Sequence, residues 1–514
     1  MKPHVEKGSR ALPFGLTASA RSTRASGVRL RTVMAGALLA MSLAALDQNI
    51  VNTALPRIVG DLGGMAHLSW VVTAFMLCST ITTPLYGKLS DIFGRRALFF
   101  VAILVFMAGS LFCGAARSMG ELIGFRALQG LGAGGLLVLA QAAIGDVVSP
   151  RERPRYQGLF TGTFAVSSVA GPLLGGVITQ AFSWRWVFYV NLPIGVLALV
   201  MIAIGLRKPP SGARRSIDWL GTVLLAGATT TLLLLLAWGG SQFAWFSDKA
   251  AGLAVLTVAF LALFIWREGR APEPLIRLAL FRNRVFARGV GVGGMMTFAM
   301  LGSTVFLPLY FQLVLGMSPA VAGAMLLPQV VGMVLTSVIG GRIVSRRGRN
   351  RPFLLAGIGL EAVALASLAG FAYLGAPPAL FLVSMGALGL GMGMGMPNLT
   401  TAVQNAVAYA ELGAATGAMA FVRSLGGALG VAASGTVMSA RLTSSAGGQV
   451  DVGALTEHGT TAASGLAPTQ LAAVGDAYRA ALTDCFLLSG LVMTAAFVLV
   501  LGLPEIMLRS GIGE

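Results

Sequence analysis

Residues Gly87–Arg96 read GKLSDIFGRR, a short polar stretch set between two long apolar runs. Gly87 and Gly94 let two helix ends turn tightly. Lys88, Arg95 and Arg96 mark the loop as cytoplasmic, because short basic loops stay on that side of a bilayer. Composition agrees with a chain that crosses the bilayer repeatedly. Hydrophobic residues make up 56% and charged residues 11%, where a soluble chain carries about a quarter charged residues. The apolar runs are about 20 residues long and do not alternate over ten, so helices and not barrel strands are expected. The fold class is an all-α polytopic membrane protein.

Fourteen spans are predicted, at 33–55, 69–87, 97–116, 121–144, 157–180, 187–206, 219–238, 250–267, 289–314, 321–344, 352–374, 379–403, 415–439 and 481–503. An even number puts both termini on one side. With the N-terminus inside, only Arg57, Arg117, Arg185, Lys249, Arg441 and Arg479 of the 37 Lys and Arg residues lie outside, and Arg126 and Arg423 fall within spans. That asymmetry predicts cytoplasmic termini; the expected location is a bacterial inner membrane.

The formal charge of +18 is accounted for by topogenic loops facing anionic lipid. No basic stripe with stacking aromatics accompanies it, so nucleic acid is not an expected partner. Residues 1–32 are basic and rich in Ser and Ala without an apolar core, which predicts a disordered, uncleaved cytoplasmic tail. Cys78, Cys113 and Cys485 fall within spans, where a thiol acts as a small apolar side chain. Neither they nor His4, His67 and His458 have metal-ligand spacing, and no metal or cofactor is expected.

An internal repeat organises the chain. Gly341–Asn350, GRIVSRRGRN, aligns with Gly87–Arg96: Gly87, Gly94 and Arg95 recur as Gly341, Gly348 and Arg349, while Asp91 becomes Ser345. GLGAG at 130–134 is echoed by GLGMG at 389–393. Spans 1–6 and 9–14 therefore read as two copies of a six-helix unit, with spans 7 and 8 an inserted hairpin. The expected divisions are a tail 1–32, an N-terminal half 33–206, a hairpin with linkers 207–288, a C-terminal half 289–503 with an external flexible loop or short helix at 440–480, and a cytoplasmic tail 504–514. Gly130, Gly132 and Gly135 satisfy the dinucleotide pattern G-x-G-x-x-G but lie inside a span, where glycine-faced helix packing explains them. The chain contains no phosphate loop, so an ion gradient is the expected energy source.

The loop Gly87–Arg96 resembles the signature between the second and third helices of the major facilitator superfamily. LDQNIVNTALPRI (46–58), RALQGLGAG (126–134), GPLLGG (171–176), WRWVFYVNLPIG (184–195) and LPLYFQLVLGMSPAVAG (307–323) narrow the resemblance to its fourteen-span drug:proton antiporter branch, the EmrB/QacA-like exporters. It covers residues from about 33 to 503 and implies two pseudo-symmetric six-helix halves, a two-helix insertion and a midplane cavity.

Asp47 is the first candidate for proton coupling, since a mid-span carboxylate costs about 2.5–3.5 kcal/mol on insertion scales. Burial opposes its charge and a neighbouring cation favours it, so its protonation is switchable; the alternative is a fixed structural ion pair. Arg126 is the expected cation, with Gln129 three residues on along the same helix face, and the resemblance associates such an arginine with coupling. Snorkelling to the outer interface is the alternative. The resemblance also assigns Gly171 and Pro172 to an antiporter segment, where Pro172 would kink the helix and Gly175 and Gly176 would admit a close partner.

Gly87, Asp91, Gly94 and Arg95 read as a conformational latch, with Asp91 and Arg95 forming charge-assisted bonds. By analogy Asp91 faces the start of span 13; Lys88 and Arg96 are equally explained as solvated charges. Gln48, Asn49, Asn52, Gln129, Gln141, Tyr310, Gln312, Gln329 and Asn398 are candidate cavity residues, though interhelical bonding, about 0.6 kcal/mol each, is their alternative. Glu361 is assigned to a structural pair or side pocket. The chain reads as a secondary transporter, not an enzyme: a proton-driven exporter of lipophilic or amphipathic cations, or a dedicated exporter of one endogenous metabolite, lipid, siderophore or antibiotic. A non-transporting sensor or scaffold is the remote alternative. Partners implied by the resemblance are a periplasmic adaptor and an outer-membrane channel.

Overall fold

Three of the helices break in the same way, each four residues before a proline. A proline has no N–H to give to the carbonyl one turn earlier. In the computed structural model, α6 (Trp186–Tyr189) ends four residues before Pro193 and gives way to α7 (Asn191–Gly205). Likewise α10 (Arg284–Thr304) ends four before Pro308 and leads into α11 (Leu307–Leu313), and α12 (Pro319–Ala324) ends four before Pro328 and leads into α13 (Leu327–Arg347). Predicted spans 6, 9 and 10 are therefore interrupted. The other long helices are α1 (Leu16–Leu62), α2 (Leu68–Phe93), α3 (Arg95–Ala115), α4 (Met119–Val147), α5 (Arg153–Ala181), α8 (Trp219–Trp238), α9 (Asp248–Glu268), α14 (Arg351–Leu374), α15 (Pro378–Asn405), α16 (Leu412–Ser445) and α17 (Pro468–Leu501). Pro56, Pro84, Pro172 and Pro397 lie inside unbroken helices, so Pro172 does not interrupt α5.

The structure describes residues 16–63, 67–206, 217–240, 242–445, 468–505 and 507–508. Among them, 14 helical segments are long and apolar enough to cross a membrane, and the protein is a multi-pass membrane protein. Two expectations change. The tail is helical from Leu16, continuous with span 1, and residues 1–15 lie outside the described residues. The external stretch 440–480 is helical on both flanks, through Ser445 and from Pro468, with 446–467 outside the described residues.

Helix pairing repeats along the chain. In the first half α1 packs on α5, α2 on α4 and α3 on α4; in the second α10 packs on α16, α13 on α15 and α14 on α15. Each half encloses its own buried apolar clusters. The halves meet along α2–α16 and α5–α13, and α8 of the hairpin lies against α2 and α16. Glycines permit this close approach: a Cβ on Gly158 would sit 2.8 Å from the Ser337 carbonyl, and one on Gly87 2.5 Å from that of Gly413. The glycine-rich stretch 130–135 is helical, and a Cβ on Gly132 would meet the Phe106 backbone at 2.5 Å, as helix packing requires.

Candidate functional site

Asp47 is fully buried in α1 and receives three donors. Arg126 Nη1 donates to its Oδ2 at 2.6 Å; Gln129 Nε2 and Asn191 Nδ2 each donate to its Oδ1 at 2.8 Å. Arg126 is held from other sides as well. Its Nη1 reaches Gln129 Oε1 at 2.7 Å, its Nε donates to the Val71 carbonyl at 3.2 Å, and its guanidinium lies 4.1 Å from the Phe75 ring centroid. Ser110 Oγ accepts from Gln129 Nε2 at 2.7 Å and from Asn191 Nδ2 at 3.2 Å. Five helices thus converge on one carboxylate.

These three bonds meet a carboxyl group that water does not reach. The same burial makes the pair brittle, because removing one partner of a buried ion pair typically costs about 3–5 kcal/mol. Asn191 and Ser110 were not singled out from sequence. Asn191 carried a signal, an amide in an otherwise apolar run two residues before Pro193; Ser110, a small hydroxyl in a span, carried none.

The second constellation lies where the loop Gly87–Arg96 meets the other half, on what is called here the basic face. Asp91 Oδ1 accepts from Gly413 N–H at 3.0 Å and Oδ2 from Ala414 N–H at 2.7 Å, at the first turn of α16. Arg95 Nη2 pairs with Asp91 at 2.7 Å, and its Nε with Asp146 at 3.2 Å. A carboxylate capping a helix N-terminus is favourable through both its hydrogen bonds and the helix dipole. Gly94, at φ 84°, makes the turn between α2 and α3. Lys88 is 8% exposed, not solvated as its loop position suggested, and pairs at 3.1 Å with Glu273 in the segment after the hairpin. Arg277 of the same segment pairs with Glu411, just before α16.

Side-chain hydrogen bonds between the halves run from mid-membrane to this basic face. Thr80 and Ser424 hydroxyls meet at 2.8 Å, Gln404 Nε2 donates to the Gln141 carbonyl at 3.5 Å, and Arg151 donates to the Ser345 and Arg346 carbonyls at 3.1 and 2.9 Å. Toward the opposite face Asn52 is exposed, and Gln48, Asn49 and Gln312 are half-buried. Asn49 and Gln312 each donate to a carbonyl one turn back in their own helix.

Several predicted cavity residues lie elsewhere. Tyr310 is fully buried among Phe311 and Phe381, because the turn before Pro308 directs α11 into the core of its half. Gln329 is buried between α13 and α15 and donates to Met392 Sδ at 3.4 Å. Asn398 is buried near the basic face, donating to the Met394 carbonyl at 2.7 Å, while its own carbonyl accepts from Asn350. Gln129 belongs to the Asp47 network and lines no cavity. Two apolar pockets, one between α5 and α13 and one among α11, α16 and α17, contain none of the predicted cavity residues. In the antiporter segment, a Cβ on Gly171 would sit 2.6 Å from Asn49 Cβ, and one on Gly175 would overlap Thr53 and Ile50 of α1. A Cβ on Gly176 would meet nothing within 4 Å, so only Gly171 and Gly175 form the close approach. Of the structural pair and the side pocket named for Glu361, the pair is not present: it has no ion pair among the described residues.

A sequence profile described as Major Facilitator Superfamily matches residues 37–431. The chain is 38% identical over 414 residues to "Multidrug transporter protein MdtP" of Bacillus subtilis (strain 168), covering 80% of this chain and 75% of that protein. It is 35% identical over 418 residues to "Multidrug resistance protein 3" of the same organism, covering 81% of each. The structure of the proton:xylose symporter XylE shares its fold, with a TM-score of 0.61 at 16% identity over 93% of this chain and 97% of that one.

Proposed function

The chain belongs to the major facilitator superfamily, a family of transporters and not of enzymes, and on that premise we propose that it exports drugs by proton-coupled antiport. The observation that carries the proposal is Asp47, a fully buried carboxylate whose partners are all side chains of neighbouring helices. The names of its multidrug relatives support drug efflux.

The cycle follows from the charge balance at Asp47. With the basic face cytoplasmic, the seam is closed on the cytoplasmic side and exposed Asn52 lies toward the outside. A proton arriving from the outside neutralises the Asp47 carboxylate. Its attraction for Arg126 falls, and the ion pair between α1 and α4 loosens. Arg126 is then left to Gln129, Val71 and the Phe75 ring. That change biases the N-terminal half toward opening on the cytoplasmic side, where Asp91 must leave Gly413 and Ala414. Binding a cationic or amphipathic compound near Asp47 expels the proton, which couples the two fluxes in opposite directions. Bound lipophilic cations would leave with help from a membrane potential, about 2.3 kcal/mol per charge per 100 mV. Both termini would be cytoplasmic in an inner membrane, and any adaptor or outer-membrane channel would meet the external ends of the helices. No cofactor beyond the proton gradient enters this cycle.

Ethidium transport into proteoliposomes, driven by a pH gradient, tests the proposal with wild type and Asp47→Asn. Gradient-driven accumulation in wild type that is abolished in Asp47→Asn is the expected outcome. Equal accumulation in both removes Asp47 from coupling. A panel in which only one compound is moved by wild type replaces multidrug export with a dedicated exporter.

A further inference from the structure

The C-terminal half holds a buried acid and a half-buried base that are not joined. Glu361, in α14, is 2% exposed, and its Oε1 has no hydrogen-bond partner among the described residues. Its niche is made by glycines of α15: a Cβ on Gly391 would lie 2.7 Å from Glu361 Cγ, and one on Gly395 3.2 Å from Oε1 and 2.5 Å from Met296 Cε. Arg423, half-buried on α16, approaches the same crossing of α10 and α15 from another side. Its Nη2 contacts Met396 Sδ at 2.9 Å, and its Cγ lies 3.3 Å from where a Gly293 Cβ would be. Gly395 and Met396 are consecutive on α15, and Gly293 and Met296 are one turn apart on α10. Met296, beside the acid, and Met396, beside the base, form a methionine layer at this crossing.

Other charges do not face Glu361. α15 has no Asp, Glu, Lys, Arg, His, Tyr or Cys between Pro378 and Asn405. α17 meets this level of α14 through Gly490 beside Ala366 and Phe497 beside Gly359, and its ionisable residues all precede Phe486. Arg284 and Arg288 sit in the first two turns of α10 at the basic face, and on α14 itself Arg351 donates to the Leu501 carbonyl at the basic end while Tyr373 lies at the other. An ionised carboxylate without donors in such a place is strongly disfavoured, and the group neutralises instead. The N-terminal half solves the same problem with Arg126 and Gln129. Aligning Gly130–Gly134 with Gly389–Gly393 puts Met385 and Leu388 at those positions, so the second copy carries an acid on a different helix and no built-in partner.

We propose that Glu361 is a second proton-binding site of the transport cycle, loaded in this conformation and discharged when the C-terminal half rearranges. This rests on the reading of the chain as a proton-driven exporter. Discharge breaks the Oε–H bond and passes the proton to water that enters as α14 and α15 shift against α10 and α16. The electron pair stays on the carboxylate, whose new charge is met by Arg423 once the methionine layer parts. Methionine suits that layer, being flexible and able to repack without leaving a fixed void. The carrier would then hold two proton sites, one in each half, with opposite occupancy in the conformation described.

Infrared difference spectra of the purified protein between acid and alkaline buffer read the site without any substrate. Wild type is expected to lose a protonated-carboxyl band as pH rises. Asp47→Asn should retain that change, and Glu361→Gln, nearly isosteric with the neutral acid, should abolish it. Glu361→Asp, which keeps the carboxyl, should shift the band if Glu361→Gln proves poorly folded. A wild-type spectrum reproduced by folded Glu361→Gln overturns the site. Proton release on adding ethidium to detergent-solubilised carrier then tests its place in the cycle: Glu361→Gln should release one proton fewer per ethidium bound, and unchanged release overturns that part. Failure of proton-driven export itself would appear separately, as wild-type ethidium accumulation indifferent to the pH gradient.

Discussion

Replacing Asp91 with asparagine should open the basic face of the carrier about 100-fold more often. Only bonds that break when the halves part count toward this figure. Arg95 stays beside Asp91 in either conformation, because both flank Gly94 in the same half. The two backbone bonds from Gly413 and Ala414 cross the seam and must break. Each is a hydrogen bond to an ionised group, worth about 1.5–3 kcal/mol, and the charge at a helix N-terminus adds about 0.3–1 kcal/mol. Asparagine keeps one carbonyl acceptor, loses the other and loses the charge, so the closed state should weaken by about 3 kcal/mol. At a factor of ten per 1.4 kcal/mol, that is roughly 100-fold in the open population. The assay is alkylation of Gln404→Cys, a position 2% exposed within the closed seam, in a background without the three native cysteines. Its rate follows the open fraction even when that fraction is small. An Asp91→Asn rate within threefold of the parent would refute the cross-seam role of the carboxylate, whatever happened to transport.

Asn191→Ala removes one of the three donors on Asp47. It should lower stability by about 1.5–3 kcal/mol, read as a fall in unfolding midpoint in detergent; an unchanged midpoint would mean the bond contributes nothing. Gly175→Ala and Gly176→Ala should differ sharply although adjacent. The first pushes a methyl into Ile50 and Thr53 and should cost about 1–3 kcal/mol by overpacking, while the second enters open space and should change the midpoint little. Equal midpoints for the two would sink the assignment of the α1–α5 contact to Gly175.

The sequence made the helices legible because apolar length is a strong constraint in a bilayer, and the latch legible because its charges lie in a ten-residue loop. Asp47 and Arg126 stood out for a similar reason: charge inside a span is conspicuous. What brings them together was less visible. Asn191 and Ser110 are ordinary polar residues in apolar runs, and their importance comes from the packing of α3 and α7 around α1. Tyr310, Gln329 and Asn398, read as cavity candidates with interhelical bonding as the alternative, are buried within their half. A polar residue in a span has two ways to be satisfied, a wet cavity or an interhelical bond, and a one-dimensional pattern does not distinguish them. Asn398 took neither: its amide turns back to the Met394 carbonyl of its own helix, and the bond from Asn350 goes to its backbone carbonyl. The broken spans were readable in principle, since Pro193, Pro308 and Pro328 each fall four residues after the break, yet Pro172 and Pro397 sit in helices that continue. Proline removes one bond; whether the helix then ends depends on what neighbouring helices supply.

The physics of the seam explains why such a carrier can alternate at all. Two helices in lipid gain no hydrophobic energy by meeting, because the chains they displace are as apolar as their own side chains. What holds α2 to α16 and α5 to α13 is close packing at glycines, such as Gly87 on Gly413 and Gly158 on Ser337, and a few polar bonds near the basic face. Packing at glycines is lost over a small separation, and the polar bonds are exchanged for bonds to water once the face opens. The closed state is therefore deep enough to seal and shallow enough to leave. Most of each half's buried apolar contact lies within that half, although the second half's cluster also takes in Leu225 and Phe264 of the hairpin and packs against Leu85 of α2. Asp91 is placed where this balance is most sensitive: it stabilises the closed face with two bonds that no movement within either half would break, so only the parting of the halves releases them.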